Sequence, residues 1–175
     1  WPKFALSAFM KGADGLYSTA LAPCEVRYGA AKVRLETEYP FRNTLTYTVE
    51  APTPQRFALY IRIPGWAKRA VVDGKEVEAG TFARLEREWT GTSTVSVTLE
   101  AETEFCPRPS GLVAIRRGPL FYSLKIGARW EPIDYGPEEK IKVFPHGDYE
   151  VFPTTPFAYA LTSRALRFEE RPLGQ

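Results

Sequence analysis

The stretch Lys32-Val33-Arg34-Leu35-Glu36-Thr37-Glu38-Tyr39 decides the class of fold, because apolar and polar residues alternate through it without a break. A period of two places Val33 and Leu35 on one face of an extended chain and the charged residues on the other. This pattern is typical of a strand with one buried face. It returns in three further segments, with apolar residues at Leu45, Tyr47 and Val49, at Phe57, Leu59, Ile61 and Ile63, and at Val95, Val97 and Leu99.

The connections between these segments also favour β structure. Residues 71–77 contain the pair Asp73-Gly74, which tolerates positive φ and therefore suits a two-residue hairpin turn. Strands with one apolar face favour antiparallel sheets. A single sheet would leave many large side chains in water at a cost of about 1.5–3 kcal/mol each, so a second layer has to cover it. We therefore predict an all-β fold built as an antiparallel β-sandwich.

A domain boundary is predicted where the alternation stops, at Cys106-Pro107-Arg108-Pro109-Ser110-Gly111. Two prolines and a glycine deny this segment regular dihedral angles and backbone donors. The prediction is a β-sandwich domain over residues 1–106 and a second, smaller β-rich domain over residues 111–175. Prolines interrupt the sequence beyond Trp130, among them Pro132, Pro137, Pro145, Pro153 and Pro156, so this second domain is expected to be incomplete.

Composition excludes several classes of function. The chain has 175 residues with 23 basic and 21 acidic side chains, a net charge of +2, which gives no basic field for nucleic acid or an acidic membrane surface. Runs of about 18 apolar residues, the length of a membrane-spanning helix, are absent from the sequence. A single histidine, His146, excludes a multi-histidine metal site. Glycine-rich phosphate-binding loops are also absent, so nucleotide binding is not expected.

Nucleophilic catalysis would have to use Cys24 or Cys106 with His146 as the base. Nothing in the sequence supports that pairing, and ordinary buried or loop thiols and a surface-turn histidine explain these residues equally simply. A glycosidase needs two carboxyl groups across a cleft. The glutamates, however, occupy alternating strand positions that suit a solvated face. We therefore predict no catalytic residue and no metal ligand in this chain.

Carbohydrate binding is the remaining chemistry that particular side chains suggest. Trp66 and Trp130 are expected in loops, where an indole can stack on a sugar ring, and Arg62 could add guanidinium contacts. The alternative is that each tryptophan closes one end of the sandwich. The sequence is compatible with both interpretations, the sugar-binding one and the structural one.

Several short sequence motifs resemble those of a known family. The most specific is Leu59-Tyr60-Ile61-Arg62-Ile63-Pro64-Gly65-Trp66-Ala67, which is followed by Val72-Asp73-Gly74. The other phrases are residues 14–17, 35–41, 111–120 and 153–161. Together, in this order, they resemble the β-L-arabinofuranosidase-like enzymes of glycoside hydrolase family 127.

The resemblance implies a function carried by a larger protein. Members of the family have a helical (α/α)6 barrel followed by β-sandwich domains, and this chain resembles only the part after the barrel. Their nucleophile belongs to an adjacent cysteine pair in the barrel and is held with glutamate around zinc, so Cys24 and Cys106 do not match it. Zinc and catalysis are therefore expected in the parent's barrel. At Phe157-Ala158 the family would show Trp-Asn, which weakens any inherited role of that loop.

The leading hypothesis is a non-catalytic β region that supports an absent catalytic barrel. A carbohydrate-binding module and a homo-oligomerisation surface, formed by exposed sheet edges, are the alternatives. The start at Trp1 suggests an excised segment, and in that case we expect an exposed apolar patch at Trp1, Phe4 and Phe9. A parent that uses zinc-bound thiolates would suit a reducing cytoplasm.

Overall fold

The computed structural model describes residues 2–133 and 147–171, and nearly all its regular structure is β strand. This confirms the predicted all-β class. The chain divides into two compact units, Trp1–Tyr122 and Ser123–Gln175. The elements in chain order are α1 (Pro2–Leu6), β1 (Phe9–Lys11), β2 (Gly15–Ser18), β3 (Cys24–Tyr28), β4 (Ala31–Thr37), β5 (Thr44–Arg62), β6 (Ala67–Val72), β7 (Lys75–Val77), β8 (Phe82–Ala101), β9 (Thr103–Pro107), a 3-10 turn (Pro109–Gly111), β10 (Val113–Arg117), β11 (Leu120–Tyr122), β12 (Ala128–Pro132) and β13 (Tyr149–Pro153).

The first unit is built on an eight-stranded sheet. Its strands run in the order β1-β2-β5-β8-β6-β7, and β4 also pairs with β5 and with β3. The predicted hairpin is confirmed: β6 and β7 pair around Asp73 and Gly74, whose φ angles of 50° and 78° are those of a tight turn. All pairs are antiparallel except β2 and β5, which run parallel from Gly15 opposite Ala58 to Ser18 opposite Ile61. The sequence analysis did not predict this parallel pair.

The two longest strands join what the sequence analysis treated as separate segments. Strand β5 continues through Pro52 and Pro54 by an irregularity between Ala51 and Gln55, where it pairs with β8 on both sides. The bulge keeps the parity of the strand, so its inward face stays the same before and after it. Segments that were predicted as separate strands thus belong to two long strands of one eight-stranded sheet.

One apolar cluster forms the core of the first unit and takes residues from both halves of β5 and β8. The helix α1 contributes no buried residue, so the described core is built from strands and their connections. Tyr47, Trp89, Val33, Leu59 and Ile61 are all completely inaccessible to solvent. The alternation in the sequence correctly predicted this inward face. The six glutamates assigned to a solvated face are likewise exposed, at Glu36, Glu38, Glu86, Glu88, Glu100 and Glu102.

A three-stranded sheet, in the order β11-β10-β9, completes the first unit. The boundary predicted at residues 106–111 lies between β9 and β10, which pair directly with Val113 opposite Pro107. The division into compact units falls instead between Tyr122 and Ser123.

The second unit contains the antiparallel pair β12 and β13, with Trp130 opposite Val151. His146 and Trp1 lie outside the described residues. Of the other two residues in the predicted terminal patch, Phe4 is exposed and Phe9 is partly buried against the core.

Candidate functional site

Trp66 follows the end of β5 and is held by its neighbours on both sides. Its ring is nearly parallel to that of Tyr39, with the centroids 6.4 Å apart. A Cβ added to Gly118 would lie 3.2 Å from two carbon atoms of the indole, so the backbone there touches the ring. Trp66 is partly buried and packs against the core. These contacts favour the interpretation that Trp66 closes one end of the sandwich over the interpretation that it offers an open surface for stacking on a sugar.

The other two predicted sugar-binding residues lie elsewhere on the chain. Arg62 is exposed at the end of β5, where it is opposite Phe82 of β8. Trp130 is 64% exposed in the second unit, and Tyr149 meets it edge-on with ring centroids 6.1 Å apart. Trp130 and Arg62 thus belong to different compact units. Sugar binding by these residues stays a prediction.

An aromatic and charged cluster that the sequence analysis missed lies on the outer face of β2, β5 and β8. The rings of Tyr17 and Tyr60 stack with centroids 4.1 Å apart and planes 2° from parallel. Both hydroxyl groups donate to the Asp14 carboxylate, the Tyr17 bond measuring 3.0 Å. Arg84 Nε donates to the Tyr60 oxygen at 3.0 Å. We call Asp14, Tyr17, Tyr60 and Arg84 the tyrosine cluster.

Contacts within the tyrosine cluster stabilise the ionised form of Asp14 and the neutral form of Tyr17. The hydrogen bond from Tyr60, together with that from Tyr17 and the Arg84 charge, holds the pKa of Asp14 below its usual value. Partial removal from water, followed by the bond to Asp14, raises the pKa of Tyr17 to about 12. Both shifts move the pKa of the group further from pH 7, whereas acid–base catalysis needs a pKa close to the working pH. The cluster therefore fixes charge and geometry and is poorly suited to exchanging protons.

Close backbone packing places the tyrosine cluster. A Cβ added to Gly15 would lie 2.1 Å from the carbonyl oxygen of Ala58, and one added to Gly12 would lie 2.4 Å from the ring of Tyr17. Glycine at these positions lets β2 approach β5 and lets the loop before it pack on the ring. No local sequence pattern predicts the tyrosine cluster, because Asp14, Tyr60 and Arg84 come together only through strand pairing.

A second unusual side chain, Arg87, lies on the inward side of β8. Its guanidinium carbon is 4.2 Å from the ring centroid of Trp89. Nη1 donates to Asp73 Oδ2 at 3.4 Å, while Nε and Nη2 are buried and have no hydrogen-bond partner. A pocket of about 280 Å³ opens beside this side chain, between β8 and the β6–β7 hairpin.

The two cysteines show no sign of nucleophilic activation. Burial raises the pKa of the Cys24 thiol, and its Sγ donates to the carbonyl of Ala22 at 3.0 Å. A raised pKa reduces the thiolate fraction that attacks a substrate. Cys106 is partly buried in β9. Over residues 2–133 and 147–171, no group of three or more His, Cys, Asp or Glu side chains could hold a metal ion.

The described chain also has no helix of the length and apolarity needed to cross a bilayer. These features define the chain as a β-sheet protein with a hydrogen-bonded polar cluster on the surface of its main sheet. Comparison with protein families makes the assignment specific. Residues 15–101 match the family model described as "Beta-L-arabinofuranosidase, GH127 middle domain". The resemblance is thus confirmed over residues 15–101, which match a middle domain of glycoside hydrolase family 127.

Solved structures show the same fold. A crystal structure of a GH127 β-L-arabinofuranosidase from Geobacillus stearothermophilus T6 matches 83% of this chain with a TM-score of 0.54 and 19% identity. A structure described as a glycoside hydrolase matches 83% of the chain with a TM-score of 0.52 and 17% identity. The chain spans only 31% and 34% of those two proteins. Comparison with curated protein sequences gives no match.

Proposed function

We propose that this chain is a non-catalytic β region of a β-L-arabinofuranosidase-like glycoside hydrolase, and that it supports a helical catalytic barrel. The observation that carries the proposal is the match of residues 15–101 to a middle domain of such enzymes. This chain covers about one third of a solved β-L-arabinofuranosidase. That also supports the proposal, because about two thirds of that protein lies outside the matched fold.

The chemistry of the polar groups supports a structural role. Asp14 is held ionised by hydrogen bonds, and Tyr17 is held neutral well above physiological pH. Cys24 is disfavoured as a thiolate because it is partly buried. A general acid, a general base and an activated nucleophile would each need shifts in the opposite direction. Zinc and its ligands remain a prediction for the barrel.

The support role is tested by binding between this chain and the helical part encoded with it. The natural gene product is expressed whole and as two separate pieces, one of them residues 1–175. The proposal expects the two pieces to associate, and expects the helical piece to melt several degrees higher when residues 1–175 are added. The Trp130→Ala variant is the matched control, since an exposed residue in the second unit should leave that shift unchanged. Helical pieces that melt at the same temperature with and without the chain would contradict the proposal.

A second candidate, sugar binding, is favoured by one observation. Trp130 is 64% exposed and is braced edge-on by Tyr149, which is the arrangement of an aromatic stacking platform. Calorimetric titration with plant arabinans tests it. Heat that disappears in Trp130→Ala but persists in Trp66→Phe would support a module, and no measurable heat would dispose of it.

A further inference from the structure

The pocket beside Arg87 is lined by the first half of β8 and by residues of the β6–β7 hairpin. Strand β8 pairs with β6 only over its second half, where Val97 is opposite Val72 and Ala101 is opposite Ala67. Among the described residues, the first half of β8 pairs with β5 along one edge and leaves its other edge unpaired. The pocket, about 280 Å³, is close to the lower limit for small-molecule sites.

Arg87 lines this pocket and lacks hydrogen-bond partners for two of its three nitrogen atoms. Its guanidinium lies on the ring of Trp89, which is itself fully buried and anchored by a 3.0 Å bond from Nε1 to the carbonyl of Phe57. The hydrogen bond that Arg87 donates to Asp73 is long, at 3.4 Å. Nε and Nη2 are buried without a partner. Unpaired buried donors cost free energy, so an acceptor that reached them would be held firmly.

The charge around the pocket favours an anion. Arg84 and Glu86 neutralise each other across 2.5 Å, and Arg87 is opposed by Asp73. Lys75 also lines the pocket and forms no ion pair with any described residue. The lining therefore has one positive charge in excess, which matches a ligand with one negative charge.

We propose that the pocket between β7 and the first half of β8 binds a small molecule of monosaccharide size through a carboxylate, which pairs with the Nε and Nη2 edge of Arg87. A guanidinium fork matches the two oxygens of a carboxylate in one plane. The Arg87 side chain is 39% exposed, so it lies at the pocket mouth and meets the ligand by tilting away from the indole. Lys75 adds attraction, and the apolar wall formed by Val72, Val77 and Leu85 contacts the rest of the molecule. The site is independent of the proposed support of a barrel.

The test is calorimetric titration of the 175-residue chain with glucuronate, with neutral glucose as the matched ligand that lacks the carboxylate. The proposal expects saturable binding of glucuronate with a Kd on the order of 1 mM and no saturable binding of glucose. The NMR signal of the Arg87 Nε–H group should shift over the same concentration range. Arg87→Lys keeps the charge but loses the fork, and should weaken binding about tenfold. Arg69→Lys, at an exposed arginine outside the pocket, should bind as the parent chain does.

Three results would overturn the proposal. They are the absence of saturable glucuronate binding, equal affinity in Arg87→Lys, and tighter binding of inorganic phosphate than of glucuronate. Lys75→Met provides a second variant that leaves the stacking on Trp89 untouched. It should weaken binding several-fold, and unchanged affinity in this variant would also count against the site.

Discussion

The rings of Tyr17 and Tyr60 stack face to face with their centroids 4.1 Å apart, although 42 positions separate the two residues in sequence. Tyr17 is carried by β2 and Tyr60 by β5, and the two residues are directly opposite in the parallel pair. A parallel pair of four residues is a weak connection by itself. The stacked rings and the shared Asp14 carboxylate therefore add side-chain contacts to the short ladder that holds β2 in the sheet.

Removal of the Tyr60 hydroxyl should loosen this connection. Tyr60→Phe keeps the stacked ring but loses the bonds to Asp14 and from Arg84. We expect the free energy of unfolding to fall by about 1 kcal/mol, as measured by urea denaturation. Tyr28→Phe is the control, since the Tyr28 hydroxyl forms no hydrogen bond with any residue in the described parts of the chain. Equal losses in the two variants would show that the cluster adds nothing.

The same variant should change the titration of Asp14. The Tyr60 bond is the main cause of the lowered pKa of Asp14, so Tyr60→Phe should raise that pKa toward its usual value of 3.8. A lowered carboxyl pKa stabilises the folded state above the unfolded pKa, and this contribution is lost as the pH falls through the folded pKa. Carboxyl-detected NMR titration measures the shift. An unchanged Asp14 pKa in the variant would contradict the assignment of the cause.

At high pH the folded state should lose stability through tyrosine ionisation. The pKa of Tyr17 is raised to about 12 from 10, and burial raises the pKa of Tyr47 as well. Between these values the unfolded chain releases protons that the folded chain retains, so stability falls as the pH rises above about 10. Denaturation curves at successive pH values measure the slope. Tyr17→Phe should make it shallower, and a slope identical to that of the parent chain would refute the role of Tyr17.

Close approach of β2 to β5 should make Gly15 intolerant of any side chain. In Gly15→Ala the new Cβ would lie 2.1 Å from the carbonyl oxygen of Ala58, so the backbone has to move. We expect a loss of roughly 2–4 kcal/mol in thermal or chemical unfolding. Gly65→Ala is the matched control, because its Cβ would lie 3.9 Å from the nearest neighbouring atom, the Cα of Gly80. Similar stabilities for the two variants would contradict the predicted clash.

The hydroxyl groups of Ser18 and Tyr47 form a buried pair at 2.8 Å. Tyr47→Phe or Ser18→Ala alone leaves the other hydroxyl without a partner, and each should cost about 1–3 kcal/mol. The double variant should cost less than the sum of the two, because it removes both groups. A double-mutant cycle by urea denaturation measures this coupling. Strictly additive losses would mean that the hydrogen bond contributes nothing.

Much of the fold followed from local sequence pattern. The alternation around Val33 and Leu35 correctly predicted the buried face, because a period of two fixes the face of a strand. Asp73 and Gly74 correctly predicted the hairpin because the turn needs positive φ at both positions. The continuity of β5 through Pro52 and Pro54 was not predictable, since the bulge there is stabilised by pairing with a distant strand.

The site features were harder to predict for the same reason. Asp14 and Tyr60 meet only because β2 runs parallel to β5, and no short-range pattern encodes that pairing. Arg87 breaks the usual alternation, since it places a charged group at a position that shares its parity with the buried Trp89 and stacks on that ring. Such exceptions depend on tertiary contacts, and a single sequence does not display them.

We proposed above that this chain supports glycoside hydrolysis by a larger protein and does not itself perform it. The most direct measurement is the release of L-arabinose from a synthetic β-L-arabinofuranoside by the purified 175-residue chain, with zinc and a thiol reductant present. We expect no release above the uncatalysed background, together with a folded chain by circular dichroism. Steady release in proportion to the amount of chain would contradict it.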